Sequence, residues 1–375
     1  MNKSLHLQNL KRALEQAGLS QFAIAQDLGV SREAVSKWMS GKRFPRPDKL
    51  LRLGLALNLS LDDLVVRSED RFEPVIAFRK RGASKTTLAH IARARDMGRL
   101  LSSMVPYLPF DLLVRPAFLK NPTAEYGYVQ RVAAKIRAEL GVGSRDELGF
   151  SDLIKRFDDL QAVIIPVLWG KKQKHENALH IYLPESMTSW VFLNLDVEVH
   201  DFKFWMAHEL GHVYAPDLIE DEGEDFADNL AGALVFPESL TAPAYADVVR
   251  SRTVNTRIEK IRKYAKCYSI SLITVCYEIN KYASHQNLEK IELGSALFGA
   301  NTNFNKKFHT LSEAIFESRE PVAQRLIRVG SEVFDTPFFD VLKRYIVEQK
   351  KSAGFVQSIL DIPLLDAKEI HAELS

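Results

Sequence analysis

His208 and His212 stand four residues apart with Glu209 between them, a spacing that brings the two rings together only on a helix. One helical turn stacks both imidazoles on one face, within reach of a single metal ion, and sets the glutamate beside them as a general base toward water. The surrounding run 202–214 (FKFWMAHELGHVY) suits a helix, because Phe204, Ala207, Leu210, Gly211 and Tyr214 recur at helical spacing and give it a face to bury. H-E-x-x-H is the chemistry of a zinc peptidase. It also arises by chance in roughly one or two chains in a hundred of this length, so a third ligand has to separate it from a core helix that merely carries two histidines.

A histidine six residues beyond His212 would complete a metzincin set, but Leu218 stands there, which leaves a carboxylate on a following helix. In residues 223–237 (GEDFADNLAGALVFP), Glu224 and Asp228 share a helix face, while Phe226, Leu230, Ala233 and Leu234 supply apolar spacing. Glu224 is assigned as the third zinc ligand. Asp228, one turn on, is assigned as the acceptor of a ligating histidine's ring N–H. Glu220 and Glu222 are weaker ligand candidates, and the remaining carboxylates from Asp217 onward read as a solvated approach to the helix.

H-E-L-G-H followed by E-x-x-A-D-x-x-A-x-x-L-x-x-P (Glu224 to Pro237) resembles the ImmA/IrrE family of metallopeptidases over roughly residues 125–283. The resemblance implies a gluzincin-like fold, with zinc on His208, His212 and Glu224 and with Glu209 as general base. It further implies a protein substrate, an Xre-type repressor or an antitoxin, cut on a stress or phage signal. The lead-in 201–207 (DFKFWMA) departs from the family pattern on the substrate side. For an oxyanion donor, His175, His180, His200, Tyr182 and Tyr214 are available, and spacing selects none of them.

A second signal lies at the N-terminus. Ser20 and Ser31 read as helix caps with Gly29 turning the chain between them, and Phe22, Ile24, Ala25, Leu28, Val30, Val35 and Trp38 supply the apolar faces. This is a helix-turn-helix. The pattern G-V-S-x-x-x-V-S-x-W-x-x-G resembles the Xre/lambda-repressor type over about residues 5–66. Over the motif, Arg32, Lys37, Lys42, Arg43, Arg46, Lys49 and Arg52 face only Glu33 and Asp48, a balance suited to phosphates. By resemblance, Gln21 touches a phosphate, while Arg32, Glu33, Ser36 and Lys37 face the major groove of an operator, with Lys42 and Arg43 as further contacts. Homodimerisation is the usual state of such domains.

The expected organisation is α+β. Residues 1–68 form an all-α Xre/lambda-repressor-like domain and 69–123 a basic helical connector and linker. Residues 124–285 form a gluzincin-like metallopeptidase domain with helices plus a small antiparallel sheet, and 286–375 an α or α+β sensor or docking module. The basic run Arg79, Lys80, Arg81, Lys85, Arg93, Arg95, Arg99 reads as the solvated face of the connector, with an extended duplex footprint, a single-stranded DNA site or another activating ligand as the alternative. Pro106, Pro109, Pro116 and Pro122 punctuate the linker, and WVFLNL (190–195) is a candidate edge strand for an extended substrate. The run 258–282 holds a second helix-turn-helix-like pattern, read as scaffold.

With 46% hydrophobic residues in 375, the chain has material for two or three cores. It has no apolar run that would cross a bilayer and no opening signal peptide. Cys267 and Cys276 are expected as reduced core residues of a cytoplasmic protein. Three readings follow: a DNA-binding zinc endopeptidase, a transcription factor with a metal- or ligand-sensing domain that cuts nothing, and an antitoxin-type partner binder. The intact set His208, Glu209, His212 and Glu224 favours the first, since a sensor has no use for Glu209.

Overall fold

Capping chemistry sets the helices of the first unit. The Ser20 and Ser31 hydroxyls accept from the backbone N–H groups of Ala23 and Ala34, each at 3.2 Å, and so start two short helices. Gly29 between them sits at φ +61°, a left-handed turn that a side chain would strain. In the computed structural model, which describes residues 4–40, 43–57, 59–66, 73–78, 88–109, 118–170, 177–318 and 321–375, the chain divides into two compact units, Met1–Glu73 and Pro74–Ser375.

The first unit runs β1 (Ser4–Leu5), α1 (Leu7–Gln16), α2 (Gln21–Asp27), α3 (Arg32–Met39), α4 (Pro47–Leu57), α5 (Leu61–Leu64) and β2 (Val65–Val66), with β1 and β2 paired antiparallel. Its core gathers Leu10, Leu14, Ile24, Leu28, Val35, Trp38, Leu53 and Leu64. Phe22 does not join it. The sequence places Phe22 on the apolar face of α2, but its position in the first turn leaves the ring 62% exposed.

The second unit begins with β3 (Val75–Phe78) and α6 (Leu88–Ser102), then α7 (Tyr126–Glu139), α8 (Phe150–Asp159), β4 (Ala162–Val167), β5 (Ala178–Leu183) and β6 (Thr188–Asn194). α9 (Val199–Tyr214), α10 (Glu220–Val235), α11 (Glu238–Val249), α12 (Val254–Cys267) and α13 (Leu272–His285) follow. It closes with α14 (Gly294–Asn305), α15 (Leu311–Phe316), α16 (Ala323–Phe334), α17 (Phe338–Gln349), α18 (Ala353–Leu360) and α19 (Leu364–Leu374).

The sheet order is β3-β5-β6-β4, and the expected antiparallel sheet is mixed instead. β5 and β6 form a hairpin, but β4 crosses to the far side of β6 and runs parallel to it, Ala162 opposite Ser189 through Val167 opposite Asn194. Every residue of β4, β5 and β6 is buried, the mark of a sheet covered on both faces. Pro166 is tolerated because β4 is an edge. The substrate-pairing role expected for 190–195 is also corrected: both sides of β6 are taken, by β5 and β4, so no peptide can add there.

The boundaries differ from the expected ones as well. β3 and α6 lie within the stretch 69–123 read as connector, yet they belong to the sheet unit. Ala94, Met97 and Leu101 of α6 are core residues, so the basic face of that helix is only its outer side, where Arg93 pairs with Asp361 and Arg99 with Asp96. Arg79, Lys80, Arg81, Lys85 and Pro116 lie outside the described residues. Residues 286–375 are no separate module: Leu311 and Ser312 donate backbone N–H groups to Val197 and Leu195, the Thr336 hydroxyl donates to the Ile164 carbonyl at 2.5 Å, and Phe338 and Phe339 sit in the common core. Ile258, Ile261, Leu272, Val275 and Ile279 of α12 and α13 are buried there too. Cys276 is buried, whereas Cys267, expected in the core, is exposed.

Candidate metal centre and nucleic-acid interface

The five residues between α9 and α10 fold them into a helical hairpin, and Gly211 decides how closely the pair can pack. A Cβ on Gly211 would lie 2.8 Å from the Ala227 Cα of α10, so only glycine permits this approach. Arg137 of α7 secures the other end of α10, donating to the Leu234 carbonyl at 2.7 Å and also to the Gly143 and Asp146 carbonyls. Helix packing therefore carries Glu224 to the two histidines.

The donor atoms converge. His208 Nε2 and His212 Nε2 are 3.1 Å apart, Glu224 Oε2 is 3.6 Å from the first and Glu224 Oε1 is 3.4 Å from the second. Zinc bonds of about 2.1 Å in tetrahedral array put ligand atoms about 3.4 Å apart, so the spacing of the two ring nitrogens and the Glu224 carboxylate suits the ion. Among the described residues it is the one group of three or more histidines, cysteines and carboxylates so placed. His208 Nδ1 lies 2.9 Å from Asp228 Oδ1, which fixes the proton on Nδ1 and leaves the Nε2 lone pair facing the other donors. Burial holds the His208 imidazole neutral, pushing its pKa below the usual value against the pull of Asp228. Glu209 is a buried carboxylate beside it on α9.

The other sequence candidates separate clearly. Glu220 and Glu222 are exposed in the first turn of α10, outside the triangle. His200 is buried against Phe304 and Phe308, with ring centroids at 4.6 and 4.3 Å. Tyr214 accepts a hydrogen bond from Arg156 Nε, and burial pushes its phenol up to about 12. Tyr182 packs edge-on to Phe118, and His175 lies outside the described residues. Among the described candidates only His180 meets the site: its ring stacks on His212 at 6.0 Å, its Nε2 is 3.1 Å from Ser189 Oγ, and its partner on β3 is Ala77. Trp205, 6.1 Å from the His208 ring, has no role in the sequence reading. Its place one turn ahead of His208 is the signal that could have found it.

In the first unit Gln21 opens α2 and Arg32 opens α3, and Gln21, Arg32, Glu33, Ser36, Lys37 and Arg43 are all exposed. Lys42 lies outside the described residues. Glu33 and Lys37 pair with each other at 2.7 Å, so part of the charge on α3 is neutralised in place. Lys49 is turned inward: its ammonium donates to the Leu28 carbonyl at 2.7 Å and caps α2, a structural task in place of the phosphate contact expected from charge alone.

Residues 10–64 match a family described as helix-turn-helix. The first unit is thus an Xre-like helix-turn-helix domain, a module that binds double-stranded DNA, and the chain is a DNA-binding regulator. No curated protein and no solved structure matches it. Among the described residues no helix is long and apolar enough to cross a membrane.

Proposed function

We propose that the second unit is a zinc-dependent endopeptidase and that its substrate is a protein, an Xre-type repressor or an antitoxin, cut in response to a stress or phage signal. The observation that carries this reading is the 3.1 to 3.6 Å triangle of His208, His212 and Glu224 donors, with the Asp228 carboxylate on the far nitrogen of His208. Those three residues would hold the ion. Zinc, when bound, supplies Lewis acidity that polarises the scissile carbonyl and acidifies water.

The chain's own residues do the rest. Asp228 keeps one His208 tautomer, and deep burial keeps the His208 ring unprotonated and its Nε2 available as a ligand atom. Glu209 accepts the proton of the attacking water and passes it to the leaving amine. Replacing Glu209 by Gln should leave zinc content at the wild-type level and slow cleavage of the repressor by about 10²- to 10⁴-fold, measured by gel and mass spectrometry. Cleavage at the wild-type rate in that variant defeats the mechanism.

A further inference from the structure

A peptide bond has to reach the candidate metal centre to be cut, yet that centre is closed. His208, Glu209 and His212 are 0, 1 and 3% exposed, and the Glu224 side chain 17%. The cleft of about 820 Å³ nearby is lined by Asp228 and Trp205, but not by His208, His212 or Glu224. A covering element therefore has to move. β5 brings the sheet to the site, because its His180 ring stacks on His212, and the strand on the outer side of β5 is β3. β3 also lies against α10, the helix that carries Glu224.

Register decides which face of β3 meets the site. Ala77 is opposite His180 and Val75 opposite Tyr182 in an antiparallel pair, so both share the sheet face from which His180 reaches His212. Ile76 is on the other face with Ile181, which lies against Gly98 of α6. An extended peptide that joins a sheet adds to an edge and pairs through its backbone. The edge beside the metal centre is that of β5, and β3 fills it. β3 is also the least secured strand of its sheet: it has four residues, is paired on one side among the described residues, and keeps Val75, Ile76 and Ala77 half-buried where every residue of β4, β5 and β6 is buried. Pro74, packed on Gly98, tethers its start. We propose that β3 stands in the seat of the substrate, and that an extended apolar segment of the substrate, with a small residue opposite His180, takes its place on β5. The substrate part of this statement rests on the peptidase reading, while the exchange of strands does not.

The test is fluorescence anisotropy with the full-length Glu209→Gln protein and a labelled peptide of residues 73–78 (EPVIAF) between Gly-Ser tails. Two variants move β3 in opposite directions. Ile76→Pro with Ala77→Pro releases it, because successive N–H groups alternate in direction and one of the two lost faces β5. Val75→Cys with Tyr182→Cys, in a Cys267→Ser background that removes the exposed native thiol, locks it by a cross-strand disulfide. The released protein should bind the peptide about tenfold or more tightly than the parent, since the tethered competitor is gone, and the locked protein more weakly than the parent until reductant restores it. Equal binding by all three, or binding by the locked protein as tight as by the released one, overturns the proposal. If circular dichroism shows that the proline variant is unfolded, the locked protein with and without reductant decides alone, and binding indifferent to reductant overturns the proposal. The expected order of binding with a wild-type protein that cuts nothing would leave the strand assignment standing and remove the peptidase. Cleavage by a locked protein that keeps Glu209, at the rate of the unlocked one, would do the reverse.

Discussion

The two units present their candidate functional residues in opposite ways. On the helix-turn-helix unit, Gln21, Arg32, Ser36 and Lys37 stand exposed on a small apolar core, and nothing in that core depends on them. In the second unit His208, Glu209 and His212 are themselves core residues, 0 to 3% exposed, and reach their third donor only because α10 packs tightly on α9. Surface function can change without disturbing the fold. Buried function cannot, because packing and chemistry there share the same atoms.

The strongest way to break this contrast is Gly211→Val. The added side chain meets the Ala227 backbone, so we expect about 3 kcal/mol of destabilisation in urea titration together with loss of zinc, as α10 carries Glu224 away. Full stability with wild-type zinc would show that the helix contact does not build the site. Asp228→Asn should be milder: the fold persists, and zinc affinity in a competitive chelator titration falls about 10- to 100-fold. Affinity equal to wild type would mean that the His208 tautomer needs no partner.

Acid should act through the second unit. Burial depresses His200 to about 4, and Lys203 adds to this, so the folded state holds the ring neutral while the unfolded chain titrates near 6.5. The stability from this group is whole above pH 6.5 and is lost as pH falls toward 4, to the extent of about 2 kcal/mol. His200→Phe should flatten that part of the denaturation profile, and an unchanged profile would assign the acid sensitivity elsewhere. The smallest effect on the fold belongs to Arg32→Ala. We expect unchanged melting and a loss of about 1 to 3 kcal/mol of discrimination at one operator base pair, read by binding-site selection. Unaltered site preference would move the readout to another exposed residue of α3.

The same contrast explains what could be read in advance. The helix-turn-helix is local: Ser20, Gly29 and Ser31 act within three residues of themselves, so caps and turn are visible in the sequence. His208, His212, Glu224 and Asp228 could also be placed, because helical spacing is regular and the second pair sits on the next helix. Strand pairing is not local. β3 is four residues followed by a basic run, and nothing in VIAF announces that it pairs with β5, about 100 residues on. β4 as a partner of β6, and Phe338 and Phe339 as core of the same unit, are likewise settled by packing between distant segments. Lys49 and Phe22 show the limit of residue type as a guide: a lysine among phosphate-binding candidates caps a helix, and an apolar residue at helical spacing faces outward.

The most direct test is elemental analysis of the purified full-length protein beside its His208→Ala variant. The account predicts one zinc per chain in the wild type and none in the variant, with the circular dichroism of both alike. A wild-type protein that holds no zinc when the metal is supplied during growth would contradict it, and would reduce the His208–His212 contact to a hydrogen bond inside an ordinary core.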